Sequence, residues 1–184
     1  MSGKAYALGL LVGRFQTVHL GHAQMISKAL ELCGRVGILI GSSQESGTEQ
    51  NPFPYEVRAD LLRKLFGDRV EVYPLPDIGV GNNAEWGKYV LSSALERFGE
   101  IPDLFVTGRE TRRIDWFDCP EGAEMAQLYV PKTIEISASE MRRFLTENDR
   151  ASWERHTDPA LWEEYEQLRE LALAAAGNTE TDSI

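Results

Sequence analysis

Residues 5–12, AYALGLLV, make a near-continuous apolar run that stops at Gly13. A strand with one face in water alternates polar and apolar residues, so an unbroken run of this length fits a strand covered on both faces, as in a parallel sheet. A polar loop follows to Leu20, after which Met25, Ile26, Ala29, Leu30 and Cys33 recur at helical spacing. The succession then repeats. VGILI at 36–40 reads as a second buried strand, 41–51 as a polar loop, and Val57, Leu61, Leu62, Leu65 and Phe66 as the apolar stripe of a second helix. RVEVY at 69–73 reads as a third strand, and Val90, Leu91, Ala94, Leu95 and Phe98 as a third helix stripe. DLFVT at 103–107 is a fourth strand, and 127–130 is a shorter fifth.

Strands alternating with helices at this spacing predict an α/β chain whose parallel sheet is joined by right-handed crossovers. Ligands of such sheets gather at the carboxyl ends of the strands, where the strand order reverses. The loops that begin at Gly13, Gly41, Pro76 and Gly108 all follow strands and so should share one rim. Beyond Ile136 no strand-like run returns. A short helix is expected over 139–145, and Asp158 followed by Pro159 marks another helix start. Leu161, Trp162, Tyr165, Leu168 and Leu171 form the stripe that docks it. The expected organisation is one domain over 1–175, with a core at 5–135 and a helical part at 136–175, followed by a frayed tail at 176–184.

Charge and cysteine content narrow the partners. Lys and Arg total 19 against 29 Asp and Glu, a formal charge of -10, which offers no general attraction to a nucleic-acid backbone. Two cysteines, Cys33 and Cys119, are too few for a disulfide framework or a thiolate zinc site and fit a reducing compartment. The N-terminal apolar run is too short to span a bilayer and ends in Gly-Arg rather than a small-residue cleavage site, so a cytoplasmic protein without membrane partners is expected.

The sharpest chemistry lies in the first loop, GRFQTVHLGH at 13–22. His19 and His22 stand three apart where a strand gives way to a helix. Free backbone N–H groups in a first turn favour an anion, and an imidazole can donate to phosphate oxygens, near neutral pH even as a cation. Zinc would need further ligands, and the remaining histidine, His156, sits in the helical part. A purely structural loop of glycine, arginine and two histidines would be unusual, so phosphate handling is the favoured reading. The chain holds neither a G-x-x-x-x-G-K-[ST] run nor a G-x-G-x-x-G after its first strand, which sets aside a P-loop NTPase and a dinucleotide-binding dehydrogenase.

This loop resembles the GRF-x-P-x-H-x-G-H motif of the nucleotidyltransferase superfamily, and ISASEMRR at 136–143 resembles its second motif, I-S-x-T-x-x-R. GSSQES at 41–46 with NPF at 51–53 is similar to a segment of the archaeal-type nicotinamide mononucleotide (NMN) adenylyltransferases, as are Pro76-Asp77-Ile78 and Trp86. The resemblance covers about residues 6–170. It implies a Rossmann-like, doubly wound parallel sheet with a helical C-terminal part, commonly as a homo-oligomer. It also implies direct transfer of AMP from ATP to NMN, giving NAD and pyrophosphate.

In the roles that the resemblance carries over, His19 and His22 bind the triphosphate, and Arg14 and Arg142 neutralise the pyrophosphate. Gly13, Phe15, Gly21, Gly108, Ser137 and Ser139 belong to the ATP side. Ser42, Gln44, Asn51, Asp77, Ile78 and Trp86 belong to the NMN or NAD side, with Trp86 stacking on the pyridine ring. Mg2+ would ride on the ATP phosphates, with no dedicated protein cage. Thr17 stands where the first motif has proline, and Ala138 and Ser139 replace the glycine and threonine of the second. Gly47 and Gln50 stand where the archaeal-type segment commonly has histidine and a basic residue, and the run 108–113 brings extra arginines. Transfer to another phosphorylated acceptor, and a nucleotide-binding regulator without turnover, are the alternatives. GSSQES with Trp86 speaks against the first, and the intact His19, His22 and Arg142 against the second.

Overall fold

The computed structural model describes residues 3–109 and 116–178. Five parallel strands, β1 (Tyr6–Gly13), β2 (Cys33–Gly41), β3 (Glu71–Leu75), β4 (Leu104–Thr107) and β5 (Ala126–Tyr129), form one sheet in the order β3-β2-β1-β4-β5. The chain winds outward from β1 in both directions, so the order reverses between β1 and β4, where Gly9 pairs with Leu104 and Leu10 with Phe105. This is the Rossmann-like, doubly wound arrangement expected from the sequence.

The unbroken apolar runs have a direct cause, because both faces of the central strands are covered. Leu8 and Leu10 of β1, Leu39 of β2 and Phe105 of β4 enter one core with α3 (Ala84–Phe98). Leu11, Val36, Ile38, Ile40, Leu104 and Val106 enter the opposite core, with α1 (Leu20–Leu32) and α2 (Tyr55–Phe66). α5 (Ala138–Thr146), α6 (Arg150–Arg155) and α7 (Tyr165–Asn178) close that second core with Met141, Leu145, Trp153, Tyr165 and Leu168.

Local chemistry sets the element ends. The Asn83 side chain accepts from the Glu85 and Trp86 amides to start α3, and Gly99 ends it in the left-handed region at φ 80°. Ser137 and Glu140 form a reciprocal capping box that starts α5. Within α3, Gly87 lies so close to the chain at Trp116 that a Cβ there would stand 1.5 Å from the Trp116 carbonyl oxygen. Only glycine allows that approach, which seats Trp116 beside Trp86.

Several sequence expectations are corrected. Cys33, placed in the first helix stripe, is the first residue of β2, because α1 passes into the strand without a loop. The third strand runs two residues further than RVEVY and includes Pro74, which an edge strand tolerates. Leu95 is 48% exposed and Trp162 38% exposed despite their stripe positions. For Trp162 the reason is that Pro159–Glu164 is a 3-10 helix with three residues per turn, which shifts the stripe's phase. α4 (Pro120–Glu124) and α6 are too short to leave a periodic signal. α7 continues to Asn178, into the span expected as a tail, and 179–184 lie outside the described residues. Among the described residues, no helix is long and apolar enough to cross a membrane.

Candidate active site

The turn from β1 into α1 builds the centre of the site. His19 is the N-cap of α1, and its Nδ1 accepts the Gly21 amide at 3.1 Å. His22, at the third helical position, accepts the His19 amide on its own Nδ1 at 3.4 Å. The pair thus forms a capping box made of imidazoles, with the rings stacked at 3.8 Å between centroids. Phe15 lies against His22 at 4.9 Å. A Cβ on Gly21 would stand 3.0 Å from the His19 ring, so glycine keeps this turn open.

Because each Nδ1 is an acceptor, the ring proton of each neutral imidazole resides on Nε2. Two Nε2–H donors are therefore left for a ligand. Protonation would put a second N–H where the backbone amide already donates, and burial also opposes it. The pKa of His19 is lowered to about 4, first by burial and then by the charge of Lys132. That of His22 is pushed well below its usual value, again first by burial, then by His19 and Lys132. The expectation that these rings could act as cations near neutral pH is replaced by one of neutral donors.

This has a consequence for stability. Above pH 6.5 both rings are neutral whether the chain is folded or not. Below it the unfolded chain takes up protons that the folded one refuses, so stability falls with falling pH, for His19 down to about pH 4. The slope is about 1.4 kcal/mol per pH unit for each ring. His19→Asn keeps an N-cap acceptor and removes one titrating ring. Urea unfolding between pH 7 and pH 5 should show it losing less stability than the unsubstituted chain, and equal losses would contradict the buried neutral state.

Two cavities flank this turn at the carboxyl ends of the strands. The first, of about 460 Å³, is lined by Gly13, Arg14, Ser42, Asp77, Ile78, Trp86, Arg109 and Trp116 among others. The second, of about 220 Å³, holds His19, Gly21, His22, Gly108, Lys132 and Ser137, with an apolar end of Met25, Val130, Ile134 and Ile136. The loops after β1, β2, β3 and β4 thus share one rim as expected. Gly108 and Arg109, adjacent in sequence, serve different cavities.

The remaining expected site residues divide by role. Trp86 is 8% exposed, with Tyr89 at 5.4 Å and Trp116 edge-on at 6.3 Å. Gln44 accepts the Asp77 amide at 2.9 Å and so props the cavity wall. Asn51 is buried and links Arg14, at 3.3 Å, to Glu45, at 2.5 Å. Neither Gln44 nor Asn51 lines the first cavity. Arg142 donates to the Gln16 carbonyl at 2.9 Å and to Ser139 Oγ at 3.2 Å, which ties the second motif to the first. Arg142 and Ser139 line a third cavity of about 520 Å³, together with Glu49, Gln50 and Arg143, rather than the cavity of the histidines. The pKa of Arg142 is lowered, first by burial and then by the charge of Arg14. Of the extra arginines, Arg109 lines the first cavity, while 110–115 lie outside the described residues.

Sequence reasoning missed Arg58, Trp116 and Lys132. Arg58 is fully buried in α2 and donates to the carbonyls of Arg14 and Gly41 at 2.9 Å and of Ser42 at 3.0 Å. Its only sequence signal was a charged residue flanked by apolar Val57 and Ala59.

A family model described as cytidylyltransferase-like matches residues 10–173. The nicotinamide-nucleotide adenylyltransferase of Thermococcus kodakarensis is 34% identical over 163 residues, covering 79% of this chain and 75% of that protein. That of Saccharolobus solfataricus is 42% identical over 88 residues, and the match spans 45% of this chain and half the length of that protein. A bifunctional NMN adenylyltransferase/ADP ribose pyrophosphatase from Francisella tularensis, solved with AMP and a manganese ion, superposes with a TM-score of 0.76. It shares 19% identity over 95% of this chain and 53% of its own, a likeness of fold.

Proposed function

Because this chain belongs to the cytidylyltransferase-like family, we propose that it is an NMN adenylyltransferase, joining NMN to the AMP part of ATP to give NAD and pyrophosphate. One observation carries the reading. The turn from β1 into α1 directs Arg14 into one cavity and the two imidazoles into the other, so a donor and an acceptor can meet across it.

The smaller cavity takes ATP, with its apolar end against the base and the Nε2–H groups of His19 and His22 on phosphate oxygens. The larger takes NMN, with Trp86 against the cationic pyridine ring and the Asp77–Ile78 backbone near the carboxamide. An oxygen of the NMN phosphate forms a bond to the α-phosphorus of ATP. The bond from that phosphorus to the bridging oxygen breaks, and its electron pair leaves on pyrophosphate. The attacking group is already an anion, so the chemistry depends on alignment and charge neutralisation rather than on a base. Arg14, on the acceptor cavity, and Arg142, bonded to the Gln16 carbonyl, receive the leaving charge, and a guanidinium fork suits phosphate oxygens.

Among the described residues, no three His, Cys, Asp or Glu side chains gather as a metal-ligand set. In this reading a divalent ion enters as part of the substrate, as the magnesium complex of ATP, and the chain's own residues bind the phosphates around it. The resemblance further supports a homo-oligomer, and the low cysteine count a reducing, cytoplasmic location.

Incubation with magnesium, ATP and NMN should yield NAD and pyrophosphate in equal amounts, and ATP binding without NAD formation would overturn the acceptor assignment. Within that assay, Trp86→Leu keeps an apolar side chain but loses the aromatic face. It should raise KM for NMN roughly 10- to 100-fold with KM for ATP little changed, while Trp86→Phe stays closer to the unsubstituted enzyme. An unchanged KM for NMN in Trp86→Leu would place the pyridine ring elsewhere.

A further inference from the structure

We infer that Lys132, on the turn between β5 and α5, is the cation that binds the phosphate chain of the donor nucleotide beside His19 and His22. The inference rests on reading the 220 Å³ cavity as the donor site.

Charge makes the case. The chain carries a formal charge of -10, and a nucleoside triphosphate is itself strongly anionic. The buried imidazoles supply N–H donors but no charge, since burial holds both neutral. Arg14 and Arg109 line the other cavity, and Arg142 is engaged with Gln16 and Ser139 in a third. Among the described residues that line the donor cavity, Lys132 is the only cation. Arg14 and Arg142 act on the leaving charge from outside this cavity, so within it Lys132 alone sets a full positive charge against the phosphates that the imidazoles bind.

Placement agrees. Thr133 Oγ1 donates to Gln24 Oε1 at 2.9 Å, which pins the turn against the first part of α1, two residues beyond His22. Lys132, His19 and His22 line the same cavity, and the Met25, Val130, Ile134 and Ile136 side chains there offer the apolar surface that suits a base. The Lys132 side chain is exposed and makes no hydrogen bond or ion pair with a described residue, so among these its ammonium has no partner to give up when an anion arrives. A lysine suits this task, as a point charge on a flexible stem that follows a phosphate chain.

The test is calorimetric titration of ATP and of adenosine into the unsubstituted chain, Lys132→Met and Lys132→Arg, with steady-state kinetics alongside. Lys132→Met should weaken ATP binding roughly 10- to 100-fold, the size of one lost charge-assisted contact, and leave adenosine binding unchanged. Lys132→Arg should restore ATP affinity to within about threefold, and KM for ATP should follow the same order while KM for NMN stays constant. Equal loss of ATP and adenosine affinity, or no loss of either, would overturn the inference. If the unsubstituted chain binds ATP with this dependence on Lys132 but forms no NAD, the acceptor reading fails and the donor-site role of Lys132 stands.

Discussion

Substituting His22 by alanine is expected to lower kcat for NAD formation by roughly 10²- to 10³-fold, the usual effect of removing one donor aimed at developing charge. The Nε2–H of His22 is directed by two constraints at once. Nδ1 is held by the His19 amide, and the ring is clamped between His19 and Phe15. The donor is thus oriented before substrate arrives, and as a neutral group it needs no proton uptake to act. Alanine at this position is a good helix former, and the amide it releases belongs to a long hydrogen bond of 3.4 Å, so the fold should lose only about 1 kcal/mol. An unaltered circular dichroism spectrum beside a collapsed kcat is the expected outcome. His22→Gln retains an N–H donor and should recover part of the rate. If His22→Ala turns over within about threefold of the unsubstituted enzyme, the donor role of this ring is wrong.

How much of this was legible beforehand follows from how far each signal extends along the chain. The sheet could be read because a strand buried on both faces writes itself as a local run, as in 5–12 and 36–40. The imidazole pair could be read because strand, loop and helix follow one another within twenty residues. What the rings do at atomic level could not. A capping box is ordinarily signalled by Ser or Thr and then Glu three residues later, and here both places are taken by histidine, so the neutral state and the shared tautomer emerge only from the two amide contacts. The split of site residues between cavities was also hidden. Arg142 was expected to neutralise pyrophosphate from the second motif, and the structure ties it to the Gln16 carbonyl of the first loop, on a different cavity from the histidines. Gln44 and Asn51 were expected to touch ligand, and instead they hold Asp77 and Arg14, because a short polar side chain on a loop meets backbone as readily as substrate. Lys132 and Trp116 lie in stretches with no motif and no period, and only the fold brings them to the rim.

Arg58 gives the largest expected effect on stability. It is fully buried and faces carbonyl oxygens rather than a carboxylate: Arg14 and Gly41 at 2.9 Å, Ser42 at 3.0 Å, Pro54 at 3.4 Å. Burial lowers its pKa to about 10, which still leaves it charged at neutral pH, so the carbonyl dipoles must compensate a full positive charge. Two of those carbonyls stand where the backbone is strained. Phe15, next after Arg14, has φ 52°, and Ser42 has φ 48°, left-handed values that cost non-glycine residues about 1–3 kcal/mol each unless the surroundings enforce them. Arg58 supplies that enforcement at the ends of β1 and β2, the two loops that carry Arg14 and Ser42 into the acceptor cavity. In Arg58→Met the buried carbonyls lose their donor, and stability should fall by about 3–5 kcal/mol, which for a chain of this size lowers Tm by about 10 °C. Arg58→Lys should recover little, because one ammonium cannot reach three carbonyls in the geometry of a fork. At temperatures where the Met variant remains folded, the relaxed rim should raise KM for NMN more than KM for ATP, since the histidine pair on the donor side is held by contacts of its own. A melting temperature within about 2 °C of the unsubstituted chain would mean that these loops hold their left-handed conformations without Arg58.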